Sequence, residues 1–264
     1  MADDDVYALF IDVMGFADSV ARLTPEQHHR VVTILASDGE LTPDLPRPVL
    51  ELVGSYRFFH TSLAMSISED EDIRAILTFS DSAFVVATSF ARVESTAWSM
   101  MRSCFAKYIP LRLGIGRGTF ARLTFSHSSH PFGTLAAHVP FLGSSIVNAH
   151  RAERSESASG FRILVHPSAQ QAIVPGTLVM NLSKAEQSES CAQEIRFVTS
   201  DIADQQQFLT MGGSEPHLNH LSAMRKDVKH KPALRHYDAT EAAMKRQYKT
   251  LQKSIREKHR GGGE

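Results

Sequence analysis

Residues 8–20 read ALFIDVMGFADSV. The run from Ala8 to Val13 has the apolar, β-branched character of a buried strand, yet Asp12 interrupts it just before Met14 and Gly15. A carboxylate withdrawn from water at a strand end is costly unless a cation, a metal ion or a set of donors faces it. The reading of the whole chain turns on what faces Asp12.

Downstream, a helix is expected from near Phe16 or after Thr24, where Thr-Pro-Glu is a good helix start. GELTPDLPRP, residues 39–48, reads as a loop; residues 49–68 alternate weakly and are assigned a strand; SEDED, from Ser68 to Asp72, reads as an acidic turn. In IRAILTFSDSAFVVAT, two β-prone segments flank Ser80-Asp81-Ser82, the signature of a hairpin. Val93, Ala97, Met100, Met101 and Cys104 recur at helical spacing within residues 89–108. PLRLGIGRGTFA is a strand broken by Gly114, Gly116 and Gly118, and a polar loop from Ser126 to His138 follows. SSIVNAHRAERSESA has helical periodicity, FRILV returns as a strand, and HPSAQQAI reads as a short capped helix. Strands and helices interleaved around a hairpin imply an α+β fold.

The 264 residues are enough for one large domain with appendages, and a formal net charge of -1 gives no overall pull toward nucleic acid or anionic membrane. Cys104 and Cys191 are far apart and in no metal-ligand spacing, which fits a reducing cytoplasm. No signal-peptide pattern and no apolar run of membrane-spanning length is present. The chain is expected to divide into a main domain over residues 1–180, an irregular extension over 181–215 and a basic helical segment over 216–264. Residues 225–260 hold twelve Lys/Arg against four Asp/Glu, with Met244, Tyr248, Leu251 and Ile255 on one helical stripe, so packing is favoured over nucleic-acid binding.

If the hairpin pairs beside the first strand, Asp12 and Asp81 can face one point. Two close carboxylates repel and call for a cation between them; magnesium suits oxygen ligands, and the Val13 carbonyl could complete the set. Either aspartate alone is an ordinary turn former, so the pair takes its meaning from its surroundings.

Those surroundings resemble the class III nucleotide cyclases. FIDVMGF is similar to their first metal motif, and ILTFSDSAFVV to the hairpin whose turn bears the second metal Asp. LRLGIGRG matches the strand that follows, and GSSIVNAHRAE with GFRILVHPSA matches the helix and strand that close the set. The resemblance covers roughly residues 6–170 and implies a mixed, mainly antiparallel sheet flanked by helices, a ferredoxin-like or palm core. It also implies head-to-tail pairing into a homodimer with active sites composed from both chains. Asp12, Asp81 and the Val13 carbonyl would hold two Mg²⁺ or Mn²⁺ ions per site. Arg151, eight residues after Gly143, would stabilise the transition state, and the backbone at Gly15 and Phe16 would cradle phosphates. The family's ribose-binding Asn aligns with Val147, while Asn148 stands one residue on; either the helix register differs here or the ribose is held otherwise.

Where purine cyclases read the base, this chain has Leu77 and Pro140. The departure, in a compact chain, resembles the pyrimidine cyclases of bacterial anti-phage defence, the Pycsar type. That resemblance implies conversion of UTP, or next CTP, to the cyclic monophosphate, with the product acting on a separate effector. Tyr56, Arg57 and Thr78 are further candidates for contact with the nucleotide, whereas His127, His130, His138 and His150 fit no metal-ligand spacing. The alternatives are a purine cyclase with an unusual base pocket, and an inactive cyclase-like domain that binds nucleotide.

Overall fold

The computed structural model of the chain describes residues 2–67, 71–122, 141–172, 178–198, 216–226, 228 and 231–261. Residues 68–70 of the acidic turn, His127, His130, His138 and Pro140 lie outside them.

The opening run is strand β1, Ala2–Val13, and it lies in the middle of the sheet. It pairs antiparallel with β3, Ser82–Ala87, on one side and with β4, Leu111–Arg122, on the other. Strand β2, Ile73–Thr78, forms the expected hairpin with β3. Beyond β4 lie β6, Ile163–Val165, then β8, Gln193–Ile195, and β7, Val179–Asn181; β5, Phe141–Leu142, pairs with the end of β4. The order is β2-β3-β1-β4-β6-β8-β7, with β4–β6 the parallel pair. This is the expected α+β arrangement, a mixed and mainly antiparallel sheet. It runs on through β8, across residue 180.

Alternation along β1 separates two cores. Leu9, Ile11 and Val13 face a layer that includes Phe59, Leu63, Val93, Ala97 and Met100. Ala8 and Phe10 face the other side, with Phe84, Val86, Ile146 and Ala149. The first layer comes from α3, Arg47–Ser66, and α4, Phe90–Ala106. The second comes from α5, Ser144–Glu153.

Both helix starts near the N-terminus are used. Gly15 caps α1, Phe16–Ala21, in the left-handed region (φ 78°), and Thr24 begins α2, Pro25–Ala36, with a reciprocal capping box to Gln27. The strand expected within residues 49–68 is instead α3. Val49, Leu52, Val53, Phe59 and Leu63 are buried at helical spacing, and the aromatic run from Tyr56 to Phe59 had blurred that period. The glycines do not break β4, which runs unbroken for 12 residues. HPSAQQAI forms only a 3₁₀ turn, Pro167–Ala169, and α5 ends at Glu153, ahead of a second 3₁₀ turn at Glu156–Ala158.

Helix α6, Pro216–Lys226, and the basic α7, Lys231–Gly261, close the chain. Tyr237, Met244, Tyr248 and Leu251 on α7 are buried in the main core, and Phe161 N–H donates to Thr240 Oγ1 (2.8 Å). The apolar stripe thus packs as expected; the side chain of Ile255 lies outside the described residues. Both cysteines are free and buried.

The glycines of β4 let α5 pack directly against the strand backbone. A Cβ on Gly114 would lie 2.1 Å from Ala149 O and 2.5 Å from Glu153 N; one on Gly116 would lie 2.4 Å from Ala149 N. Because the obstacles are backbone atoms, they cannot rotate away. Gly114→Ala is expected to destabilise the protein by about 3 kcal/mol or more, read as a fall in the midpoint of urea or thermal unfolding.

Candidate active site

Asp12 follows Phe10 by two on β1 and therefore faces the α5 side of the sheet. Its cross-strand partners are Ser82 and Arg112. Asp81 occupies the turn between β2 and β3. Its carbonyl accepts from Val13 N–H (2.9 Å), which ties the turn to the end of β1. Asp81 Oδ1 accepts from Ser80 Oγ (2.9 Å). The two aspartates singled out from the sequence are thereby brought to one place, close enough that the charge of Asp81 bears on Asp12. Burial holds the Asp12 carboxyl above its ordinary range, and Asp81 adds to that; Arg154 and Arg112 oppose it.

The carboxylates of Asp12 and Asp81 meet here beside the backbone of Val13, whose carbonyl is the third ligand expected from the sequence. All are hard oxygen ligands, and the raised affinity of Asp12 for a proton marks a site short of positive charge. This fits a divalent cation of the magnesium type. Among the described residues, no group of three or more His, Cys, Asp or Glu side chains is placed to hold a metal.

Helix α3 braces the Asp81 turn from outside. A ring nitrogen of His60 lies 3.3 Å from Ser80 O. Tyr56, one turn earlier, packs its ring at a tilt against His60 (centroids 4.4 Å) and reaches Phe16 (6.3 Å) at the start of α1. Phe16, Tyr56 and His60 thus form a line of rings from the start of α1, capped by Gly15, to the Ser80 carbonyl of the Asp81 turn. Leu77 pairs with Phe84 and faces the same side of the sheet as Asp12, whereas Thr78 alternates to the other face. Arg57 points elsewhere: its Nη2 donates to Gly39 O (2.7 Å) and Ile34 O (3.2 Å) and lies 3.3 Å from Asp38, holding α3 to the end of α2.

Helix α5 carries the rest. Asn148 Nδ2 donates to Arg117 O (3.0 Å) and Ser168 Oγ (3.2 Å), so its amide is engaged on β4 and the 3₁₀ turn beyond β6. Val147 is 47% exposed, and Arg151, one turn on, is also exposed. The charge of Arg151 bears on His166 and lowers its pKa together with burial, the larger cause. Asp12 and Arg151 of one chain therefore look to different surroundings.

Residues absent from the sequence reading complete the site. Glu153, 4% exposed, lies where α5 crosses the end of β4. Its Oε1 is 3.9 Å from Arg112 Nε and its Oε2 is 3.5 Å from Arg154 Nε. Arg112 also donates through Nη2 to Ser155 O and Ala158 O. Burial pushes the Glu153 carboxyl up to about 7, Arg112 opposes the rise, and Asp12 adds to it. Burial likewise lowers Arg112, so desolvation outweighs this loosely engaged pair on both sides. No local pattern announces the cluster, because Arg112 and Glu153 meet only when α5 packs on β4.

No protein-family model matches the chain, and no curated protein matches it. Solved structures do. The guanylate cyclase domain of RhGC from Catenaria anguillulae, in complex with GTP, aligns at 14% identity over 69% of this chain and 88% of that one, with a TM-score of 0.44. The guanylyl cyclase Cya2 aligns at 12% identity over 74% and 90%, with a TM-score of 0.43. A bacterial light-regulated adenylyl cyclase aligns at 11% identity over 81% and 57%, with a TM-score of 0.49.

Glu153 gives the fold a pH dependence of known sign. Between its ordinary value near 4.5 and about 7, the folded protein holds a proton on Glu153 that the unfolded chain has released. The group's contribution to stability is thus retained below pH 4.5 and lost as pH rises toward 7, by on the order of 3 kcal/mol in all. Glu153→Gln, which cannot ionise, is expected to gain stability over the wild type between pH 5 and pH 8. Urea unfolding of both proteins at the two pH values measures it.

Proposed function

We propose that this protein is a nucleotide cyclase that converts a pyrimidine nucleoside triphosphate, UTP before CTP, to its 3′,5′-cyclic monophosphate and pyrophosphate. The observation that carries the reading is the joining of Asp12 to the Asp81 turn through Val13 N–H, which places two carboxylates at one strand end. In the reaction, a bond forms between the ribose 3′-oxygen and the α-phosphorus as the bond to pyrophosphate breaks. Asp12, Asp81 and the Val13 carbonyl would hold two Mg²⁺ or Mn²⁺ ions. Such ions supply Lewis-acid polarisation of the 3′-hydroxyl and of the triphosphate.

The residues of the chain divide the remaining work. Arg151, outward-facing on α5, would serve the site of the partner subunit in a homodimer and neutralise charge growing on the α-phosphoryl group. That division is favoured by the exposure of Arg151 on α5, and by the exposed apolar surface of Phe79 and Val147. Backbone N–H groups at Gly15 and Phe16 would meet phosphate oxygens. Leu77, Thr78 and Tyr56 would border the base, with Leu77 offering none of the hydrogen bonds that read a purine edge. Arg57 and Asn148 would act by holding α3 and α5 in register. The product would act on a separate effector in the cytoplasm, as a second messenger of anti-phage defence.

A second reading, an inactive domain that binds nucleotide, is favoured by one observation. Val147 stands exposed where a ribose ligand is expected, while the Asn148 amide is engaged elsewhere.

Incubation with each of the four nucleoside triphosphates and Mn²⁺, with products identified by mass, separates these. Cyclic UMP or cyclic CMP is expected; a purine product alone would remove the pyrimidine reading, and no product would favour the inactive domain. Asp12→Asn and Asp81→Asn are each expected to abolish turnover. Arg151→Ala should slow it by about 10²-fold or more while leaving the melting temperature unchanged.

A further inference from the structure

Arg151 is exposed on α5, and the guanidinium charges that bear on Asp12 are those of Arg154 and Arg112. Helix α5 runs antiparallel along β4, with Ser144 beside Gly118, Asn148 and Ala149 beside Gly116, and Glu153 beside Gly114. Its C-terminal end therefore arrives where Arg112 pairs across from Asp12. Two guanidinium groups meet the buried carboxylate of Glu153 there. One, Arg112, has a side chain only 10% exposed and its Nη2 committed to the carbonyls of Ser155 and Ala158. The other, Arg154, caps α5, lies 3.5 Å from Glu153 Oε2, and has a side chain 71% exposed. Arg112 is fixed in the wall; Arg154 is tethered at its root and open at its tip. Its charge reaches Asp12, as the opposing pull on that carboxyl records.

We propose that Arg154, tethered by Glu153, is the cation each subunit supplies to its own metal site, where it binds the polyphosphate of the nucleotide held at Asp12 and Asp81. This rests on the cyclase reading and divides the arginines of α5 between two sites. Arg154 serves the site of its own chain, and Arg151 serves the partner's. Guanidinium suits the role, since it keeps its charge at any working pH and presents paired N–H donors to phosphate oxygens. The nearby acids also need it. A polyphosphate approaching Asp12 and Asp81 meets like charge, which divalent ions and the Arg154 guanidinium offset together.

The probe is inorganic tripolyphosphate with Mn²⁺, titrated calorimetrically into the full chain, because it lacks base and ribose. Arg154→Ala is expected to weaken binding by about tenfold or more, and Arg154→Lys by less, at unchanged melting temperature. Arg154→Ala that binds like the wild type overturns the proposal. A wild type that binds no tripolyphosphate overturns both the proposal and the metal site beneath it.

Heterodimers purified through two different tags then decide between the two chains. Asp12→Asn paired with Arg151→Ala leaves one complete site and should recover product. Asp12→Asn paired with Arg154→Ala should recover about a tenth of that product or less at subsaturating nucleotide, because the two changes fall on opposite sites; recovery equal to that of the first pair overturns the assignment to the same chain. Failure of the first pair would tell against composite sites, and the titration would still decide the role of Arg154.

Discussion

A helix lying on bare backbone governs this molecule. Each of Gly114, Gly116 and Gly118 faces α5 at a distance no side chain would allow. The contact fixes more than separation. Because the nearest obstacles at Gly114 and Gly116 are main-chain atoms of α5, these glycines set which residue of the helix lies over which residue of the strand. Glu153 falls over the end of β4, beside Arg112, and so into the neighbourhood of Asp12. A helix held a side chain farther off could slide or turn, and the charges around Asp12 would move with it.

That charge arrangement is tense by construction. Asp12 sits between strands, and Asp81 is tied to the next residue by a backbone bond that leaves little room for the turn to swing away. Glu153 is buried close by, against two arginines at 3.5 and 3.9 Å, longer than a charge-assisted hydrogen bond. Burial, not pairing, dominates the carboxyls of Asp12 and Glu153, and both hold protons more tightly than a free side chain does. A site in this condition gains when positive charge enters. The interior that raises these carboxyls and the attraction for a dication are two expressions of one deficit.

How much of this could be read from sequence follows the range of each signal. Asp12 and Asp81 were legible because each sits in a local pattern, a strand end and a hairpin turn, and the strand and hairpin pair as expected. Helix α3 was misread because Tyr56, Phe58 and Phe59 fill both faces of any short period, so tertiary packing against α2 and α4 had to decide. The glycines of β4 were visible but looked like breaks; only the presence of α5 converts them into a seat. The cluster of Arg112, Glu153 and Arg154 joins residues distant in the chain through that seat, and no window of sequence contains it.

The same seat accounts for the odd pair Val147 and Asn148. A Cβ on Gly116 would touch Asn148 Cβ at 2.6 Å, so Asn148 is the residue pressed toward the strand, and its amide finds the Arg117 carbonyl there. Val147, about 100° around the helix, must then face outward with Arg151. Rotating α5 to bring Asn148 outward would drive Cβ-bearing residues into the glycines and carry Glu153 off Arg112. The register that tethers Arg154 beside Asp12 is thus the register that denies Asn148 the outward position. A single helix cannot satisfy both, and in this chain the packing on β4 decides which is kept.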